Sequence, residues 1–194
     1  MRRFQEITQM LLILLLISWF LVAKNTTTDF EYEIYKLTKR SEYIVRGESV
    51  SFKTHYTDDK RSIYTDLEFK VTQVLKGELK SSVIIIALPA GSINGKTMYV
   101  LDSPSFALNE EAILFLRKFK DENIFHSGKY AIFALSSGKY NIYGGSTDDQ
   151  KLVITDSKIG NFRCYPGEAI DYTQCHESIS MLDFIALVKQ YVKE

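Results

Sequence analysis

The fold is decided between residues 64 and 75, which read Tyr64-Thr65-Asp66-Leu67-Glu68-Phe69-Lys70-Val71-Thr72-Gln73-Val74-Leu75. Leu67, Phe69 and Val71 alternate with charged or polar residues, which is the period of a strand with one buried and one solvated face. Lys76-Gly77-Glu78 ends this strand. The segment therefore predicts a sheet that covers a core with one of its faces.

Further strands are expected on both sides of this segment. One opens at Ile44 and runs toward His55, and the next, from Val83 to Leu88, is apolar on both faces and should be central. A strand with a long apolar run covers residues 111–119. Shorter strands are predicted at residues 96–101, 130–135, 140–143 and 152–155, with turn residues between the last three.

Two amphipathic helices flank the predicted strands. Phe30, Ile34 and Leu37 fall at helical spacing and predict a short helix over residues 29–40. Ser180 caps the last helix, whose apolar face comprises Met181, Phe184, Ile185, Val188, Tyr191 and Val192. The order of helix, about five strands, hairpins and helix predicts a mainly β fold, namely a five-stranded OB-like barrel with flanking helices.

The N-terminus predicts an export segment. Arg2 and Arg3 precede an uncharged, almost wholly apolar run from Met10 to Ala23. Its length suits a signal peptide, whereas Leu21 makes a poor cleavage site after Ala23 and favours an uncleaved signal anchor. Both alternatives place the rest of the chain outside the cytoplasm, secreted or anchored to the membrane through this run. We expect a leader at residues 1–23, a spacer at 24–29 and one domain at 30–194.

Charge argues against nucleic acid as a partner. The chain has 24 basic and 24 acidic residues, and removal of the leader leaves the domain close to neutral. A neutral domain has no overall field that attracts phosphate, so binding of nucleic acid is not expected.

The two cysteines, Cys164 and Cys175, are separated by ten residues. In an exported domain such a pair predicts a disulfide; free thiols are the alternative, and a metal site would need more ligands at fixed spacing. Asn25-Thr26-Thr27 matches the acceptor pattern for N-glycosylation, so Asn25 is a possible glycosylation site. No metal or cofactor is expected.

Three segments resemble a group of exported prokaryotic domains. They read Ser41-Glu42-Tyr43-Ile44-Val45-Arg46-Gly47, then Tyr64-Thr65 with Phe69-Lys70-Val71 and Val74-Leu75-Lys76-Gly77, then Phe106 with Glu110 to Leu116. Their order is also similar to the netrin-like and tissue-inhibitor-of-metalloproteinase fold, an OB-type barrel with helices. The resemblance runs from Glu31 to Phe119 and implies that barrel.

The chain departs from this resemblance at two points. Inhibitors of that type chelate the zinc of their target through an N-terminal cysteine, whereas the first cysteine here is Cys164. The resemblance therefore does not imply inhibition by that mechanism. Asn109 stands where the pattern has glycine before Glu110, which predicts a changed turn.

Other motifs have more ordinary interpretations. Residues 90–97 (Ala-Gly-Ser-Ile-Asn-Gly-Lys-Thr) match a loose phosphate-loop pattern, but the β-prone residues that follow predict a hairpin instead of the required helix. Adjacent carboxylates occur as Asp58-Asp59, Glu110-Glu111 and Asp148-Asp149, and such neighbours on a strand point opposite ways. The three histidines lie in no nucleophile or zinc motif.

The function expected from the sequence is therefore binding. We expect a non-enzymatic, exported or membrane-anchored module that binds a protein or an envelope component. The alternatives are a cell-surface hydrolase whose site the sequence does not reveal and, third, a protease inhibitor without the cysteine wedge. Tyrosines spread along the domain leave room for a protein- or glycan-binding surface.

Overall fold

The computed structural model describes residues 29–119, 128–155 and 178–194. The apolar leader, Asn25 and both cysteines lie outside these ranges, so the expectations about cleavage, glycosylation and the disulfide stay predictions. The chain divides into two compact units, residues 1–33 and 34–194. Only the start of the first helix is described in the first unit, and the barrel belongs to the second.

The described residues contain two α-helices, ten strands and two short 3-10 helices. The helices are α1 (Asp29–Arg40) and α2 (Met181–Lys193). The strands are β1 (Tyr43–Tyr56), β2 (Ile63–Lys76), β3 (Val83–Leu88), β4 (Gly91–Ile93), β5 (Lys96–Met98), β6 (Glu111–Lys118), β7 (Tyr130–Ile132), β8 (Lys139–Gly144), β9 (Lys151–Thr155) and β10 (Ile179–Ser180). The 3-10 helices cover Leu135–Gly138 and Asp148–Gln150.

Five of the strands close into a barrel, as the sequence predicts. Their order is β1-β2-β3-β7-β6, and β6 returns to pair with β1. The β3–β7 pair is parallel, with Ile86 opposite Tyr130, and the other barrel pairs are antiparallel. The interior is filled by the buried side chains of Val45, Leu67, Phe69, Ile84, Ile86, Leu88, Ala112, Leu114, Leu116 and Ile132. The alternation in β2 therefore does direct its apolar side chains into the core.

A second layer covers the outside of β6. Leu114 points into the barrel, so its neighbours Ile113 and Phe115 face outward, where they are fully buried. Strands β8, β9 and β10 extend the sheet beyond β6. The rings of Phe115, Tyr140 and Phe184 meet there, with centroids 4.9–6.4 Å apart. This aromatic cluster attaches α2 to the barrel.

Side chains stabilise one end of each helix. The Ser180 hydroxyl accepts a hydrogen bond from the backbone N–H of Asp183 at 3.1 Å, as expected for the start of α2. At the end of α1, Lys76 Nζ donates to the carbonyl oxygens of Thr38 and Ser41. A cation at this position offsets the partial negative charge of a helix C-terminus and ties α1 to β2.

Gly47 allows a close approach between the two longest strands. A Cβ atom at this position would lie 2.2 Å from the carbonyl oxygen of Lys70 and 2.7 Å from Cε1 of Phe69. The register of β1 against β2 shifts beside it, between Arg46 and Gly47, and again between Ser49 and Ser51. These irregularities bend β1 so that it pairs with both β2 and β6.

Three segments differ from the sequence-based expectations. The strand expected at residues 96–101 ends at Met98 because the chain turns at Asp102 (φ 64°), where Ser103 N–H bonds to Val100 O. The strand expected at 130–135 ends at Ile132, and Ala134 and Leu135 take positive φ. In α2, Val192 is exposed, although its spacing placed it on the buried face.

Residues 90–97, which match a loose phosphate-loop pattern, form most of the β4–β5 hairpin. Asn94 (φ 50°) and Gly95 (φ 73°) make its turn, and Lys96 and Thr97 lie in β5. Asn109 also has a positive φ, 59°. Glycine favours that conformation and asparagine tolerates it, so asparagine at this position gives no reason for a changed turn.

Candidate functional site

The outer face of β1, β2 and β3 brings polar side chains from distant segments together. Antiparallel register places His55 opposite Tyr64 and Lys53 opposite Asp66. On the other side of β2, Asp66 lies opposite Ala87 of β3. Leu67 points into the barrel, so Asp66 and Tyr64 face outward on the same side of β2. In OB folds the face of the second and third strands is the usual ligand surface.

A charged cluster, formed by His55, Asp66 and Lys129, lies on this face. Lys129 Nζ is 2.9 and 2.7 Å from the two carboxylate oxygens of Asp66. His55 Nε2 is 3.4 Å from Asp66 Oδ1. The side chains of His55, Asp66 and Lys129 are 22%, 19% and 17% exposed. The cluster is therefore fixed in place but reachable from solvent.

An apolar pocket of about 100 Å³ adjoins the charged cluster. It is lined by Tyr64, Ala87, Leu88, Pro89, Pro104, Phe119, Ala131, Ile132 and Leu135. Three of the lining residues lie close to the cluster. Tyr64 is opposite His55 and Ala87 is opposite Asp66 in the sheet, and Ala131 follows Lys129 by two residues along the chain. Charge and apolar surface thus meet within one site, to which β2, β3 and β7 contribute.

A second depression is a weaker candidate for a binding site. It encloses about 280 Å³ along the edge of β2 and is lined by residues 71–74 and 79–82. It is broad and open to solvent, and apart from Lys80 its lining side chains are uncharged. The smaller pocket is the better candidate because its apolar walls lie next to charged side chains that are held in place, which is typical of ligand sites.

The cluster contains a His–Asp pair, and hydroxyl groups lie in the same part of the barrel. A His–Asp pair can orient a proton acceptor, but nucleophilic catalysis also needs a hydroxyl or thiol in reach. The hydroxyls of Thr54 and Thr65, which lie on the opposite side of the sheet from His55 and Tyr64, bond to each other at 3.0 Å, and Thr65 donates to the carbonyl oxygen of Ala90 at 2.8 Å. The hydroxyl on the cluster's own side is that of Tyr64, in the pocket wall. In the described ranges, no group of three or more potential metal ligands could hold a metal ion.

A second charged network ties the barrel to β9. Arg46 donates two hydrogen bonds to the Asp148 carboxylate at 2.7 and 2.8 Å and one to Glu111 at 2.7 Å. Lys151 Nζ binds the other oxygen of Glu111 at 2.7 Å. The hydrogen bonds from Arg46 hold the pKa of Asp148 below its ordinary value, and those to Asp148 and Glu111 raise the pKa of Arg46. The two cations and two carboxylates bind one another, which indicates a structural role.

Lys139 forms a third ionic contact, at the end of the barrel interior. Its Nζ lies 2.6 Å from Glu110 Oε1, donates to the carbonyl oxygen of Ser105 and stands 4.3 Å from the centre of the Phe106 ring. Glu110 Oε2 accepts from the backbone N–H of Ala107 at 2.6 Å. Lys139 therefore fixes the loop between β5 and β6 from beneath.

Carboxylates that are adjacent in the sequence do not act together in the structure. Glu110 binds Lys139 whereas Glu111 binds Arg46 and Lys151, so the two point in opposite directions, as expected. Asp59 accepts hydrogen bonds from the Thr57 hydroxyl and the Arg61 amide, which lower its pKa and close the β1–β2 turn. These carboxylates serve local structure.

Sequence reasoning did not find the cluster of His55, Asp66 and Lys129. Lys129 is 63 residues from Asp66 in the chain, so no short motif contains the set. One signal was available, because a hairpin turn over residues 57–62 sets a register in which His55 and Tyr64 are opposite each other.

No protein-family model matches the chain, and no similar protein was found among curated proteins. In the described ranges, no helix is both long and apolar enough to span a membrane.

Proposed function

We propose that this chain is a non-enzymatic binding domain that acts outside the cytoplasm, either secreted or held at the membrane by its apolar leader. Its ligand is a protein or another envelope component. The single observation that carries the binding proposal is the apolar pocket beside the charged cluster of His55, Asp66 and Lys129.

The proposed location rests on the leader. Arg2 and Arg3 before the apolar run from Met10 to Ala23 hold the N-terminus inside, so that the domain is exported. Cell fractionation followed by N-terminal sequencing tests this. We expect the chain in the envelope or the medium, beginning at Met1 if anchored or near Lys24 if cleaved. Recovery of the intact chain in the cytoplasmic fraction would contradict the proposal.

We likewise propose that the chain is related to proteins with the netrin-like fold. The closed barrel with a parallel β3–β7 pair supports it. Inhibition of a metalloprotease through an N-terminal cysteine is not part of the proposal, because no cysteine precedes Cys164.

Site-specific crosslinking tests where the ligand binds. The photoreactive amino acid p-benzoyl-phenylalanine is placed at position 64 in the pocket wall or, as a control, at position 182, where Leu182 is exposed on α2. After irradiation of whole cells, we expect a discrete crosslinked species from position 64 and none from position 182. Equal crosslinking from both positions, or none from position 64, would refute this face as the binding site.

The His55–Asp66 pair favours one second candidate, a cell-surface hydrolase. Their 3.4 Å approach would allow His55 to act as a general base on a bound water. Purified chain is assayed against ester, phosphate and peptide substrates beside a His55→Gln variant. The binding proposal predicts equal, background rates for both proteins. Hydrolysis that His55→Gln abolishes would establish the hydrolase instead.

A further inference from the structure

We infer that the pocket and its charged rim bind an extended segment of a partner protein in which an aliphatic side chain stands next to an acidic residue. The inference rests on the proposed function, since it names the chemistry of the ligand at the same face. It is argued from the size of the pocket, the nature of its lining and the charges that surround it.

The pocket has the size of one aliphatic side chain. A protein cavity of about 150 Å³ holds a benzene molecule, and this pocket is smaller, at about 100 Å³. Its walls are aliphatic, proline or aromatic side chains, with the Tyr64 hydroxyl as the exception. A branched aliphatic group such as that of leucine, isoleucine or valine suits both the volume and the lining.

The pocket is too small to hold a whole ligand. Sites for free small molecules usually enclose about 300–1,000 Å³. A group inserted here must therefore belong to something larger whose remaining atoms lie across the sheet. The outer face of β1 and β2 continues from the pocket past Tyr64, Asp66 and Glu68, in steps of two residues. An extended segment of protein fits such a surface.

The rim favours an acidic neighbour. Two lysines, Lys53 from the opposite position on β1 and Lys129 by direct contact, accompany the single carboxylate of Asp66. Lys53 is exposed and lies directly across from Asp66, so its ammonium group is available to a ligand. Glu68 is one step farther from the pocket, where it accepts a hydrogen bond from Ser51 at 2.8 Å. The charge nearest the pocket is thus positive in sum, which complements a carboxylate.

A photoreactive peptide tests the inference directly. The probe is acetyl-Gly-Asp-photoleucine-Asp-Gly-amide, whose diazirine side chain has nearly the shape of leucine. The full chain, in the form that cell fractionation yields, is irradiated with the probe, and the labelled residues are identified by mass spectrometry. We expect labels on pocket-lining residues, and about fivefold less labelling when both aspartates of the probe are replaced by lysine.

Matched variants locate the effect. Ala131→Leu fills the pocket and should lower labelling about tenfold, whereas Ala186→Leu, the same change on the exposed side of α2, should leave it unaltered. Should Ala131→Leu fail to fold, competition on the wild-type chain replaces it: unlabelled Gly-Asp-Leu-Asp-Gly should suppress labelling and Gly-Asp-Gly-Asp-Gly should not.

Three results would overturn the inference: labelling outside the pocket, labelling that neither Ala131→Leu nor the leucine competitor reduces, or equal labelling by the lysine probe. These outcomes are separable from failure of the proposed function. A partner that still crosslinks from position 64 while the peptide does not label the pocket leaves the binding domain standing and rejects only this ligand chemistry. Loss of both rejects both.

Discussion

Replacement of the buried lysine at the barrel end gives the sharpest test of how the β5–β6 loop is held. Lys139 is 1% exposed and contacts Glu110, the Ser105 carbonyl oxygen and the Phe106 ring. Lys139→Met keeps an unbranched apolar chain of similar length and removes the charge. Removal of one partner from a buried ion pair costs about 3–5 kcal/mol. Glu110 retains 22% exposure and can regain water, so we expect about 3 kcal/mol.

Urea unfolding followed by far-ultraviolet circular dichroism measures this loss. With a slope of about 2 kcal/mol per molar, the midpoint should fall by about 1.5 M at constant slope. The double variant Lys139→Met/Glu110→Gln is the control, because it leaves no charge unpaired. Its loss should be about 2 kcal/mol smaller than the sum of the two single losses. Losses that add within about 0.5 kcal/mol would show that the two side chains do not interact and would refute the reasoning.

Three further predictions concern stability. Gly47→Ala places a Cβ atom against the backbone of β2 and should cost about 3 kcal/mol, whereas Gly95→Ala, strained but in open space, should cost about 1 kcal/mol in the same urea assay; equal losses would contradict the close approach. Because the Arg46 bonds lower the pKa of Asp148, their contribution is complete above the unfolded value near pH 4 and is lost as the pH falls through the lower folded value. Acid titration of unfolding should therefore destabilise wild type more than Asp148→Asn, and parallel curves would argue against the pair. Ser180→Ala removes the cap of α2 and should lower the free energy of unfolding by about 1 kcal/mol; an unchanged midpoint would mean that the cap does not stabilise the helix.

The parts of the fold that local pattern determines could be predicted from the sequence. The alternation of Leu67 and Phe69 with Glu68 and Lys70 is matched by their burial. The limits of α1 agree residue for residue, because helical spacing and length are both local properties. A five-stranded barrel could be predicted because the number of strands follows from such local signals, whereas the position of β7 between β3 and β6 does not.

Other features depend on contacts between distant residues and had no local signal. The strand predicted at residues 96–101 stops early because Asp102 is held by Ser136, 34 residues away, through a backbone and a side-chain hydrogen bond. The extension of the sheet by β8 to β10 required knowledge of which edge of β6 was open. The charged cluster at Asp66 likewise needed the pairing of β3 with β7, which brings Lys129 to β2.

One strand pair of the barrel, β3 with β7, forms a short seam. Strand β7 is three residues long and meets β3 at a single residue pair, Ile86 and Tyr130, whereas β2 pairs with β1 along nearly its whole length. Local opening of a protein begins where the fewest bonds must break, so backbone amides along β7 should exchange with solvent before those of β2. The apolar pocket straddles this seam, with Ala87 and Leu88 on one side and Ala131 and Ile132 on the other. A ligand side chain bound in the pocket would contact both β3 and β7 and would stabilise their pairing. Ligand binding should therefore slow the amide exchange of β7.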